Sequence, residues 1–209
     1  MPGPHDTLIA TAARKMLKPQ GFIQKGRSRV WLADQRWWIV VVEFQTSGFE
    51  KGSYLNVAAH WLWTGQGYLS FDFGGRRKGF IPYQSESQFA DVATMLAEAA
   101  ATEASRLSHI FSSIEASSDV LALDLHNSPE RCGGSWRTCH AAMAAGLAGK
   151  ADDAARLFSK IEDERVVPFA NGMRDLLHDQ ACFQGQVIRN ISRQRQFLGL
   201  NDLPNPFGG

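Results

Sequence analysis

Residues 36–63, RWWIVVVEFQTSGFEKGSYLNVAAHWLW, decide the fold. Two runs rich in aromatic and β-branched residues, 36–46 and 53–63, flank a turn-forming stretch from Ser47-Gly48 to Gly52-Ser53, the pattern of two antiparallel strands. Pairing Thr46 with Ser53 sets Phe44 opposite Leu55, Val42 opposite Val57 and Trp38 opposite Trp61. That surface is wholly apolar and has to be buried. The other surface carries Trp37 with Leu62, Ile39 with His60, Glu43 with Asn56 and Gln45 with Tyr54. It is apolar at one end and polar at the other.

Working outward, residues 22–25, 28–33 and 68–73 also read as strands, separated by turn formers at Lys25-Gly26, Ala33-Asp34-Gln35 and Gly65-Gln66-Gly67. Connections this short leave no room for helical crossovers, so the strands form an antiparallel meander. Before them, Leu8, Ile9, Ala12, Ala13 and Leu17 recur at helical spacing over 7–18, with Asp6 as the expected cap. After them, Ser85-Glu86-Ser87-Gln88 has the form of a capping box. A long amphipathic helix follows, with Phe89, Val92, Ala93, Leu96, Ala100, Leu107, Ile110, Phe111 and Ile114 on one face.

Shorter helical runs are expected at 120–125, 136–148, 151–162, 166–180 and 183–198, with a loose tail from Pro204. The fold class is therefore α+β. It comprises an N-terminal helix, an antiparallel sheet of four to five strands, a long helix packed on the apolar sheet face, and a C-terminal helical segment. The expected division is 1–127 and 128–209, the second either separate or part of the same body.

With 44% hydrophobic and 21% charged residues the chain has the composition of a folded globular protein rather than a disordered one. No apolar run approaches the roughly 18–20 residues that span a bilayer, and no membrane association is expected. The opening Met1-Pro2-Gly3-Pro4-His5-Asp6 lacks the regions of a signal peptide, so a cytoplasmic location is expected. Cys132, Cys139 and Cys182 form an odd, sparse set suited to reduced thiols. The net charge of +1 hides an asymmetry: residues 1–80 carry 11 Lys/Arg against 5 Asp/Glu, whereas the remainder carries 11 against 16. A basic half beside an acidic half suits either an anionic partner or contact between the halves.

Two resemblances attach to particular residues. Gly21-Phe22, Lys25-Gly26-Arg27, Trp31, Phe44-Gln45-Thr46-Ser47 and Tyr54-Leu55-Asn56-Val57 make the segment from Met16 to Val57 similar to a bacterial family catalogued as domain of unknown function 4304. That resemblance extends at most over 7–125; it implies an α+β fold and brings no reaction with it. Glu43 departs from the small amide the family often has there. In the helical half, Ala141, Ala142, Gly149, Ala154 and Phe158 resemble one tetratricopeptide helix pair. A solenoid needs several such units, so a single copy reads as a tight helical hairpin.

The polar end of the sheet is the leading candidate site. Glu43, Gln45, Tyr54 and Asn56 would lie together, with His60 further along the face and Arg29 on the neighbouring strand, a set able to orient a small polar ligand. The plainer and favoured alternative is a hydrogen-bonded structural network. Arg76, Arg77 and Lys78, inside Gly74-Gly75-Arg76-Arg77-Lys78-Gly79, are the candidate anion-binding residues. The sequence places them on a loop, and with Lys25, Arg27, Arg29 and exposed tryptophans they would suit a single-stranded nucleic acid. Charges guarding an edge strand are the favoured alternative. His126, Cys132, Cys139 and His140 lack the close cysteine pairs of zinc sites.

Gly-x-Ser-x-Gly, His-Glu-x-x-His and Gly-x-Gly-x-x-Gly motifs are all missing from the sequence. No catalytic residue, metal or cofactor is assigned. The expected function is a non-catalytic bacterial accessory or binding module for a protein or small polar ligand. Two alternatives stand beside it: nucleic-acid binding through the basic half, and an enzyme using Glu43 and His60.

Overall fold

The computed structural model describes residues 3–128 and 135–207. Helix α1 (Pro4–Leu17) precedes strands β1 (Ile23–Gln24), β2 (Val30–Asp34), β3 (Trp38–Glu43), β4 (Gly52–Trp61) and β5 (Phe73–Pro82). Helices α2 (Glu86–Ile110), α3 (Ile114–Asn127), α4 (Trp136–Leu147), α5 (Ala151–Phe158), α6 (Val167–Arg174) and α7 (Gln180–Leu198) follow. The fold is α+β, with an N-terminal helix, a five-stranded antiparallel sheet and then helices. Two compact units are present. The first comprises residues up to His60 together with Leu69–Ser108, and the second Trp61–Tyr68 together with His109 onward. These limits differ from a division at 127/128, because α3 and a short segment after β4 group with the later helices.

In the first unit the strands lie in the order β1-β2-β3-β4-β5, a meander. Every residue from Trp38 to Val42 is at most 1% exposed, so β3 is buried on both faces. The Tyr54 amide donates to the Gln45 carbonyl at 2.9 Å. That bond belongs to the register that sets Phe44 opposite Leu55, and both of those side chains are fully buried.

Two expectations are corrected here. The last strand is Phe73–Pro82, not 68–73, so Arg76, Arg77 and Lys78 lie within a strand rather than on a loop. Gly74 explains the shift. Its φ is +114°, and a Cβ there would sit 2.6 Å from the Val57 carbonyl oxygen, an approach to β4 that only glycine permits. The tryptophans are not exposed stacking platforms either. Trp31, Trp37, Trp38, Trp61 and Trp63, on the strands or just beside them, are each at most 5% exposed and supply core.

Helix α1 begins at Pro4 with Gly3 as its N-cap, one turn earlier than a start at Asp6. Asp6 reaches back instead: its Oδ2 accepts the Gly3 amide at 2.8 Å, while its Oδ1 receives Arg29 Nε at 2.8 Å. The same guanidinium donates to the carbonyls of Phe44 and Gly52. One ion pair thus fastens α1 to the ends of β3 and β4. Nearby, the His5 ring sits 5.7 Å from Tyr83 and 6.4 Å from Phe89, and its buried Nδ1 has no hydrogen-bond partner among the described residues. Helix α2 opens as its sequence predicts, with the Gln88 amide donating to Ser85 Oγ at 3.2 Å. Gln88 Oε1 accepts from Gln84 N–H rather than closing on Ser85.

In the second unit, α4 and α5 form the expected hairpin. Gly149 takes φ +76° in its turn, and Ala141, Ala142, Ala154 and Phe158 are buried. Helix α7 clamps the segment Trp61–Tyr68 with two amides one turn apart. Asn190 Nδ2 donates to the Trp63 carbonyl at 3.0 Å. Gln194 accepts the Gly67 amide at 2.8 Å and donates to the Tyr68 carbonyl at 2.7 Å. Both amides are almost fully buried, where a single neutral side chain can supply a donor and an acceptor to irregular backbone. No helix among the described residues is long and apolar enough to cross a membrane.

Two outcomes follow from these contacts. Gln194→Leu strands a backbone donor and acceptor and should destabilise the chain by about 1–3 kcal/mol, measured by chemical denaturation. The acid side depends on α1. Burial outweighs the nearby Asp6 carboxylate and holds the His5 pKa below its ordinary 6.5, with Arg29 and Lys51 adding to the fall. Asp6 itself lies below its ordinary 3.8: burial pulls it up, but the hydrogen bonds from Arg29 and Gly3 outweigh that. Both groups therefore contribute stability at neutral pH that is lost on acidification. His5 loses its share between 6.5 and its depressed folded value, as the unfolded chain takes up a proton first. Asp6 loses its share below 3.8, as pH falls through its own folded value. His5→Phe should flatten the fall in melting temperature just below pH 6.5 and leave the lower-pH step intact.

Candidate functional site

The polar end of β3 and β4 forms as the register requires, and β5 completes it. Asn56 and Arg76 are directly paired across β4 and β5, so their side chains share a face with Glu43. Asn56 Nδ2 donates to Glu43 Oε2 at 2.8 Å and to Gln45 Oε1 at 3.0 Å. Arg76 Nε donates to Asn56 Oδ1 at 2.8 Å, and its Nη2 to Gln45 Oε1 at 2.7 Å. The guanidinium carbon lies 3.9 Å above the Tyr54 ring, a cation–π contact. Tyr54 in turn leans on Phe80, ring centroids 5.1 Å apart.

Four of the five expected ligand-binding residues, Glu43, Gln45, Tyr54 and Asn56, are therefore together. They are joined by Arg76, expected to bind an anion elsewhere. Carboxylate, amides and guanidinium are hydrogen-bonded to one another, with Glu43 and Gln45 half-buried and Arg76 exposed.

His60 is not part of it. Its Nδ1 lies 2.8 Å from Ser70 Oγ and 3.1 Å from Asp72 Oδ2, and the ring is 1% exposed. A histidine that relays a proton from a serine uses one ring nitrogen for the hydroxyl and the other for the orienting carboxylate. Here Ser70 and Asp72 both meet the same nitrogen, and they tie His60 to the approach to β5. Arg29 belongs to Asp6, as described above. Among the anion candidates, Arg77 pairs with Glu103 of α2, leaving Lys78 exposed and unbonded among the described residues. Lys25 and Arg27 lie at the β1–β2 turn, and Arg76–Lys78 on β5. These are opposite edges of the five-stranded sheet, about 19 Å apart at roughly 4.8 Å per strand. They make no single basic patch.

Of the cysteine and histidine candidates in the helical unit, His126 is exposed, whereas Cys139 and His140 are buried. Cys139 is fully buried, and burial pushes its thiol far above the ordinary range, the opposite of a nucleophile. His140 Nδ1 accepts Trp63 Nε1–H at 3.1 Å, and its ring stacks against Trp136, 6.0 Å between centroids. Cys132 lies outside the described residues. Among those described, no three His, Cys, Asp or Glu side chains gather where a metal ion would be held.

An open feature exists where the sequence reading named no site. A cleft of about 350 Å³ in the helical unit is lined on one side by α6 and the turn after it, and on the other by α7. Phe169, Met173 and Leu176 recur at helical spacing along the first wall, and Gln186, Asn190 and Arg193 along the second. Both stripes are legible at i, i+4, i+7 in the sequence. Their facing one another is a tertiary fact. No protein-family model matches the chain, and neither curated proteins nor solved structures show a significant match to it.

The network on the sheet makes a direct test. Asn56→Ala breaks the link between Glu43 and Arg76 and leaves charged groups short of partners. Stability should fall by about 1–3 kcal/mol in urea denaturation. An open ligand site would instead tolerate the change with little loss.

Proposed function

We propose that the protein is a cytoplasmic, non-catalytic binding module, engaging a protein or a small ligand through the cleft of its helical unit. The observation that carries this reading is the contrast between the two polar clusters. The groups suited to acid–base chemistry, Glu43 and His60, are each held by neighbouring side chains, whereas the α6–α7 cleft is open and presents an apolar wall beside a polar one. Binding pockets combine these features: apolar surface supplies affinity and a few polar groups fix orientation. The resemblance of Met16–Val57 to a bacterial family without an assigned reaction agrees with an accessory role. Nucleic-acid binding loses support because the basic residues sit at opposite sheet edges and Arg76 and Arg77 already have partners.

Native mass spectrometry of the protein recovered from its own cell extract tests the reading. A bound molecule or partner should appear with the wild type and be lost with Gly172→Leu, which fills the cleft. Recovery of the bare chain from both would count against it, and salt-sensitive retention of nucleic acid would favour the alternative.

A further inference from the structure

We infer that the α6–α7 cleft binds a small monocarboxylate with an apolar body, an alkyl or arylalkyl acid; this rests on the binding-module reading and adds the ligand's chemistry. Three observations converge on it. The wall formed by Phe169, Met173 and Leu176 offers apolar surface, and Phe169 is backed by the Trp136 ring at 5.9 Å. Among the described residues Arg193 is the one charged group on the lining, and it makes no hydrogen bond or ion pair with any of them. Its neighbours on α7, Gln186 and Asn190, also line the cleft, and each keeps one side-chain amide hydrogen unbonded among the described residues. Gln186 Oε1 takes both Arg189 donors, and Asn190 Oδ1 takes Gln186 Nε2. Asn190 Nδ2 spends one hydrogen on the Trp63 carbonyl, and each side-chain amide nitrogen carries two. A guanidinium with spare amide N–H groups beside it is matched by a planar carboxylate, which accepts two parallel bonds from the guanidinium fork. A single cation on the lining among the described residues suits one negative charge better than two.

The third observation is Gly172, which also lines the cleft. It lies inside helix α6, where glycine is disfavoured relative to alanine. Its φ is not in the left-handed region, and a Cβ built there meets nothing within 4 Å. No turn and no close neighbour among the described residues calls for glycine at this place. A molecule lying against the helix backbone does. The ligand's apolar body then runs along Gly172 and the Phe169–Met173 wall, with its carboxylate on Arg193.

Isothermal titration calorimetry on the whole chain separates the parts, using octanoate, octanol and acetate as probes. Octanoate should bind saturably, about tenfold or more tighter than octanol, since a charge-assisted pair is worth roughly that factor, and acetate should not bind measurably. Arg193→Gln should bring octanoate down to the octanol level without changing octanol. Gly172→Leu should weaken both about tenfold while the melting temperature holds. If that variant misfolds, Arg193→Gln decides alone. Equal affinity for octanoate and octanol, an unchanged ratio in Arg193→Gln, or no binding of either would overturn the assignment. Should carboxylates fail while native mass spectrometry finds another molecule sensitive to Gly172→Leu, the ligand chemistry is wrong and the module reading stands. If both experiments are blank, both readings fall.

Discussion

The pairing of β3 with β4 is the constraint on which the first unit depends. Five consecutive residues, Trp38 to Val42, are buried whichever way their side chains point. A strand covered on both faces can tolerate polar groups only near its end, and only if they satisfy one another. Glu43 and Asn56 sit at that end. They recruit Gln45 from the loop and Arg76 from the next strand, so that a carboxylate, two amides and a guanidinium are hydrogen-bonded in one cluster. The polar cluster is a consequence of how deeply the strands before it are buried.

The same logic governs the backbone where regular pairing stops. After β4 the chain leaves the sheet through Trp61–Tyr68, an irregular stretch with its own donors and acceptors to satisfy. Asn190 and Gln194 of α7 satisfy them with side-chain amides. Gly65, at φ +61°, brings that stretch to within 3.1 Å of the Asn190 backbone, measured from where a Cβ would be. Asn190 therefore carries two duties. One hydrogen of its amide holds this segment, and its oxygen joins the polar row that lines the cleft.

Function in this chain thus separates from its conspicuous motifs. The Gly-Gly-Arg-Arg-Lys-Gly run is an edge strand, one arginine turned into the polar network and the next paired to Glu103. Cations along an exposed edge also discourage strand-to-strand association. The histidine and cysteine of α4 are core residues, one accepting from Trp63 and the other packed in apolar surroundings. An open cleft is instead made of ordinary helix surface: an apolar stripe, a glycine without a steric reason, and an arginine that makes no bond among the described residues.

The sequence by itself determined the fold class, the order of helices and strands, and the register that joins Gln45 to Tyr54. Alternation over 36–63 and helical spacing over 86–110 are local periodicities that a chain displays before it folds. It also brought together Glu43, Gln45, Tyr54 and Asn56, since neighbours across a hairpin follow from register alone. Tertiary structure decided the rest. That Arg76 completes the network depends on where β5 starts, and Gly74 sets this by letting the strand approach Val57 more closely than any other residue allows. That Asp72, not Glu43, meets His60 depends on the same placement. The cleft was not legible because its two walls come from different helices, each with an unremarkable pattern. Which faces of two helices oppose one another is fixed by packing among distant residues, and no spacing along either helix encodes it.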